Sequence, residues 1–359
     1  MAPFTPNSLP VLIGSLPMRD HEAATRLVLD HTPEIPLWVQ LPQYPEEGMV
    51  NQFLPGMPGI TRTAEKIFID TSSERYEQDL PRFYEDYLAV TENAALLKKS
   101  RFALTDQTAR GFFVFSDIIA RLPRPPAAVK GQVTGPITMG IGVKDQNGRS
   151  IFYDETLRDV VVKHIAMKAR WQVEQLSRLG APPILFFDEP GIVSFGTSAF
   201  ISISREQIQA VISEAIDAVH AANGLVGIHI CANGDWSLAL ESETDIISFD
   251  AYSYFDRFVL YTDQIKQFVT SGRILAWGIV PTSDPEDVER ETVSSLYERW
   301  QEQARQLRAI TGLEQDLLTA QTLITPSCGT GSLRLDQATK VLELTKGVSE
   351  KIRSRMCAP

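Results

Sequence analysis

Short apolar runs recur along the chain, most of them bounded by Gly, Pro, Asn or Asp. They are Val11–Leu16, Leu37–Leu41, Val129–Thr134, Ile184–Phe187, Val226–Ile230, Ile246–Phe249, Ile274–Val280 and Leu323–Thr325. Runs of this length with little polar alternation are what strands buried on both faces of a parallel sheet require. Between most of them lie stretches with apolar residues at helical spacing and a charged opposite face: Asp20–Asp30, Glu155–Leu179, Arg205–Ala222, Arg257–Val269, Pro285–Ile310 and Asp336–Arg355. Strand and helix alternating in this way predict an α/β fold, a single (β/α)8 TIM barrel. Residues 43–128 break the alternation. They hold two helical stretches, Ser73–Thr91 and Asp106–Phe113, no barrel strand, and a Pro-rich close, Leu122–Lys130. The pattern predicts a long insertion after the second strand, lying over the barrel mouth, within one catalytic domain spanning 1–359. A discrete N-terminal domain is the alternative, but the runs at 11–16 and 37–41 are needed to complete eight strands.

In a TIM barrel the active site lies at the C-terminal ends of the strands, so the reactive side chains falling there carry the chemistry. The fifth run ends in His229-Ile230-Cys231. Two residues apart on a strand, imidazole and thiol point to the same face. The eighth run leads into Ser327-Cys328-Gly329, and the sixth ends in Ser248-Phe249-Asp250. One His, two Cys and one Asp from neighbouring strand ends form a tetrahedral set suited to Zn2+. A lone buried Cys is usually a small core hydrophobe; the coincidence of all four positions favours the metal. Two thiolates and a carboxylate around Zn2+ sum to a formal charge of −1. Such a site activates water poorly and holds an electron-rich thiolate well, which favours alkyl transfer to a substrate thiol over hydrolysis. His21, His31, His164 and His220 fall in or beside helices and are expected to be structural or solvated, and Cys357 a surface thiol without a role.

Charge narrows the partners. Lys+Arg of 34 against Asp+Glu of 45 gives a net charge of −11, which argues against a nucleic-acid backbone as ligand. No apolar run is long enough for a membrane span. The start of the chain has no basic segment followed by an apolar one, and three cysteines do not make a disulfide framework. The expectation is a cytoplasmic protein.

The motifs taken together are Ile13-Gly14-Ser15, Val129-Lys130-Gly131, Thr134-Gly135-Pro136-Ile137-Thr138, Asp188-Glu189-Pro190, His229-Ile230-Cys231 and Pro326-Ser327-Cys328-Gly329. In order and spacing the chain resembles the catalytic C-terminal barrel of cobalamin-independent methionine synthase, within the superfamily that includes uroporphyrinogen decarboxylase. The family's N-terminal barrel has no counterpart, so the resemblance is to a single-barrel core form. It implies that His229, Cys231 and Cys328 are zinc ligands, and that Ser15 and Asp188 hold the amino acid part of homocysteine. Asp188 is the catalytic candidate. By register Asp250 falls where the family has its fourth ligand, a Glu. Gln43 falls where the family has an acidic residue that binds the substrate ammonium.

The implied activity is zinc-dependent methyl transfer to the homocysteine thiolate, giving methionine. The family has a His after the seventh strand, but this chain reads Gly278-Ile279-Val280-Pro281-Thr282-Ser283-Asp284 there. A folate leaving nitrogen needs a general acid, whereas cobalt does not. The expected donor is therefore methylcobalamin, free or on a corrinoid protein, with methyltetrahydrofolate as the alternative. Competing readings are a methylcobamide methyltransferase acting on another thiol of the coenzyme M kind, a uroporphyrinogen decarboxylase-like enzyme, and a non-catalytic zinc-stabilised barrel.

Overall fold

The computed structural model describes residues 4–63, 66–195 and 203–356; Cys357 lies outside them. Among the described residues eight strands occur in chain order: β1 (Ile60–Arg62), β2 (Ile67–Ile69), β3 (Val129–Thr134), β4 (Pro183–Asp188), β5 (Leu225–Ile230), β6 (Ile246–Phe249), β7 (Ile274–Val280) and β8 (Thr322–Pro326). From β3 to β8 each strand pairs in parallel with the next, giving one curled six-stranded sheet of TIM-like type. Almost every residue in it is buried, because helices cover one face and the barrel interior the other. That double burial is why these strands read as continuous apolar runs.

The two N-terminal runs behave differently from expectation. Residues 11–16 and 37–41 form no ladder; isolated parallel bridges join them to the sheet, Pro10 with Ile324 and Leu37 with Lys130, and to each other, Ser15 with Gln40. Each bridge carries only one or two backbone bonds, such as Val11 N to Ile324 O at 2.9 Å and Lys130 N to Pro36 O at 2.9 Å. Pro10, Pro36 and Pro42 lack the N–H a ladder needs. The segments thus run between β8 and β3 without becoming regular strands. The bridge at β8 is reinforced by Ser8, whose amide bonds Thr322 O at 2.7 Å and whose carbonyl accepts from Ser349 Oγ at 2.6 Å.

The helices follow local chemistry. Asp20, Asp154 and Ser204 cap those at His21–His31, Glu155–Leu176 and Arg205–His220. The expected single helix over 285–310 is two, Pro285–Arg290 and Val293–Thr311, because Thr292 and Ser295 form a capping box that starts a new one. Among the described residues no helix is long and apolar enough to cross a membrane.

Within 43–128 the helices lie at Glu74–Glu92 and Arg110–Ile119, and a short antiparallel hairpin, β1 with β2, precedes them. Phe53, Phe83, Phe102, Phe112 and Phe115 join one hydrophobic cluster with Trp171 and Val173 of helix 155–176. This coverage explains why that helix is buried on nearly all sides, His164 and Lys168 included. The first part of the segment, through Glu47 and Met49, reaches the C-terminal ends of the strands.

Candidate metal and substrate site

Strand register assembles the site. Thr134, Asp188, His229 and Ser248 are successive partners across β3, β4, β5 and β6, one row near the C-terminal edge of the sheet. Cys231 follows the end of β5 and Cys328 lies two residues beyond β8. A ring nitrogen of His229 and the two sulfurs lie within 4.8 Å of one another. Donors of a tetrahedral Zn2+ site sit roughly 3.3–3.8 Å apart, so a small inward adjustment completes the geometry. His229 Nδ1 is 2.9 Å from Ser248 Oγ, while its Nε2 is buried with no hydrogen-bond partner. A neutral imidazole donating from Nδ1 to the hydroxyl presents the Nε2 lone pair as a ligand, the arrangement metal-binding histidines use. The neighbouring Cys328 thiol and the imidazole hold the Cys231 thiol far below the usual range, at about 4, while the same neighbour and burial push Cys328 up. The thiolate form is the one a metal ion binds.

Asp188 ends β4 and is nearly buried. Its Oδ1 has no partner, and burial pushes its carboxyl up to about 6 against the opposing pull of His229 and Lys130. Lys130 rises from β3 inside the barrel, where its Nζ donates to Ile13 O and sits 4.4 Å from the Phe186 ring centroid. Glu189 has a structural task not foreseen from the sequence. Its carboxylate accepts from Ile137 N at 3.0 Å and from Thr138 N and Oγ1 at 2.8 and 2.7 Å. It thereby caps the helix Pro136–Gly142. A Cβ on Gly135 would lie 2.1 Å from that carboxyl carbon, which accounts for the glycine of the Thr-Gly-Pro motif.

Asp250 is not in the metal-ligand group. It is the N-cap of the helix Ala251–Phe258 and accepts from Ser253 N at 2.8 Å. Gln43 is not in the cavity either. It is exposed, accepting from Arg19 Nε at 2.8 Å and donating to Pro17 O at 3.2 Å. A different carboxylate takes the cavity wall: Glu47, 4% exposed, bonded to His21 Nε2 at 2.7 Å and to Leu41 N at 2.9 Å. His21 is accordingly a structural residue that fixes Glu47. The Glu46-Glu47 pair ahead of Gly48 was the available sequence signal, but the partner in helix 21–31 that selects Glu47 is a tertiary fact.

Ser15 lies under the loop after β8. Its Oγ accepts from Gly331 N at 3.1 Å and its carbonyl from Thr330 N at 3.0 Å. Ser15, Glu47, Asp188, His229, Cys231 and Cys328 all line one cavity of about 270 Å3, with Met49 and Pro190 adding apolar wall.

No family profile matches the sequence, and no curated protein matches it at the sequence level. Solved structures do match. A B12-independent methionine synthase from Shewanella sp., determined with selenomethionine, aligns over 98% of this chain and 99% of its own, with 15% identity and a TM-score of 0.56. A methyltransferase from Methanosarcina mazei aligns over 94% of this chain and 85% of its own, with 13% identity and a TM-score of 0.53. The chain therefore shares the fold of these two proteins, with a curled parallel sheet of TIM-like type, over nearly its whole length.

Proposed function

We propose that the protein is a zinc-dependent methyltransferase acting on the thiol of an amino acid, homocysteine, to give methionine. The observation that carries this reading is that one cavity holds an unpartnered imidazole nitrogen beside two thiols and an unpartnered carboxylate oxygen on Asp188. Buried polar atoms are normally paired, so two orphans in one cavity mark places for a ligand. The donor set of one nitrogen and two sulfurs fits zinc, with His229, Cys231 and Cys328 as the residues that would hold it. Bound there, the ion supplies positive charge that keeps a substrate thiol ionised near neutral pH. The chain's own groups do the rest. Asp188 and Glu47 offer carboxylate oxygens to an ammonium group, and Ser15 sets the opposite wall with Gly331. The fold shared with a methionine synthase solved with selenomethionine supports an amino acid ligand.

The donor we infer is methylcobalamin, free or on a corrinoid protein. At the end of β7 Thr282 bonds Ser327 at 2.9 Å and Asp284 caps the helix at Pro285, so neither is a free acid for a folate nitrogen. Zinc-loaded protein with homocysteine and each donor supplied separately should form methionine from methylcobalamin and not from methyltetrahydrofolate. Asp188→Asn should raise the homocysteine KM about ten- to a hundredfold, the loss of a charge-assisted hydrogen bond, with bound zinc unchanged. An unaltered KM would remove the amino acid from this reading.

A further inference from the structure

We propose that a second concavity, built by the insertion, binds a phosphate monoester with an apolar body. It lies between the loop at residues 55–57, the hairpin strand β1 and the first turns of helix 74–92. Its volume is about 670 Å3, and it shares no lining residue with the cavity at the strand ends. That size falls in the range of small-molecule sites, roughly 300–1,000 Å3.

Three guanidinium groups line it: Arg62, Arg75 and Arg101. Arg101 is committed to the wall. It pairs with Asp86 at 2.7 Å and Asp79 at 2.8 Å and donates to Gly56 O at 3.2 Å. Arg62 and Arg75 are exposed and have no ion pair or hydrogen bond among the described residues. Both line one concavity with Asp79, a carboxylate that is already paired with Arg101.

The walls are fixed before any ligand arrives. Gly56 and Gly59 have φ of +103° and +72°, and a Cβ on them would come within 2.3 Å of Arg101 O and 2.7 Å of the Tyr76 side chain. Asp70 N also bonds Gly59 O at 2.9 Å. Such a rigid frame loses little entropy on binding. Two exposed guanidinium forks carry two charges and planar donors, which match a phosphoryl dianion with three acceptor oxygens better than a singly charged carboxylate. Pro55, Met57 and Ile60 give the apolar surface for the rest of the ligand.

The test uses the full chain and isothermal titration with phenyl phosphate, inorganic phosphate and phenylacetate. Phenyl phosphate should saturate one site per chain, about tenfold or more tighter than either of the others. The double substitution Arg62→Gln with Arg75→Gln should weaken it on the order of a hundredfold, and added salt should weaken the wild type. Both side chains are exposed, so the variant should keep its fold, checked by circular dichroism. Phenylacetate binding as tightly as phenyl phosphate, an unaffected double variant, or no saturable binding would each overturn the proposal.

Discussion

The strand ends and the seam between the insertion and helix 155–176 are both buried and both rich in polar groups, yet they treat those groups in opposite ways. Along the seam most donors and acceptors meet. Trp38 Nε1, from the run just ahead of the insertion, reaches Gln172 at 2.9 Å, and Gln52 reaches Thr108 O at 2.6 Å. His164 donates from Nε2 to Phe53 O at 2.8 Å, leaving only an acceptor lone pair on Nδ1. At the strand ends, by contrast, His229 Nε2 and Asp188 Oδ1 are left with nothing. An unmet buried polar group costs about 1–3 kcal/mol. A fold retains such a deficit where a ligand offsets it, whereas the seam must be satisfied by the chain alone.

The largest expected effect breaks the strand-end side of this contrast. Cys231→Ser or Cys328→Ser should abolish zinc binding and lower turnover by more than about a hundredfold, beyond the loss from removing a ligand's hydrogen-bond partner, with the circular dichroism of a folded barrel. Full metal occupancy in both variants would show that the orphaned imidazole serves something else.

The next effect concerns the weak point of the seam. Lys168 is 1% exposed, its Nζ has only Ala103 O at 3.5 Å, and burial pushes it down from 10.5 to about 7. Between those two values the unfolded chain holds a proton that the folded chain does not. Stability should therefore rise with pH across that window and lose this contribution as pH falls to 7. Lys168→Met should stabilise the protein on the order of 3 kcal/mol near pH 7, with the gain shrinking towards pH 10. Denaturant melts at both pH values measure it, and a gain independent of pH would mean that Lys168 stays charged in the fold. The smallest effect sharpens the role of one partner at the strand ends. Ser248→Ala removes the bond to His229 Nδ1 and should weaken zinc affinity about tenfold, read by competition with a chelator.

What could be read from the sequence tracks the range of the interactions involved. The six strands β3–β8 were legible because double burial writes itself as an apolar run, and His229, Cys231 and Cys328 because strand ends fix where they point. The runs at 11–16 and 37–41 look the same in composition, but the prolines beside them deny the ladder. The hairpin of the insertion was hidden by its short strands. Asp250 and Gln43 were placed by register alone. Asp250 instead obeys a local rule, capping the helix that follows it. Gln43 was displaced because the turn at Tyr44–Gly48 brings Glu47 inward to His21, a residue 26 positions away.

The bridge between the start of the chain and β8 has a consequence for biosynthesis. Ser8 bonds residues 311 and 341 positions later, and the Ser15 wall is closed by Thr330 and Gly331. On the ribosome Ser8 and Ser15 therefore wait for at least 311 further residues, on the order of tens of seconds at usual elongation rates. The middle of the sheet, β3 to β7, can pair as it emerges, since its neighbours are consecutive. The wall at Ser15 then closes only once the loop after β8 has emerged, so Cys231 leaves the ribosome well before the cavity that receives it is complete.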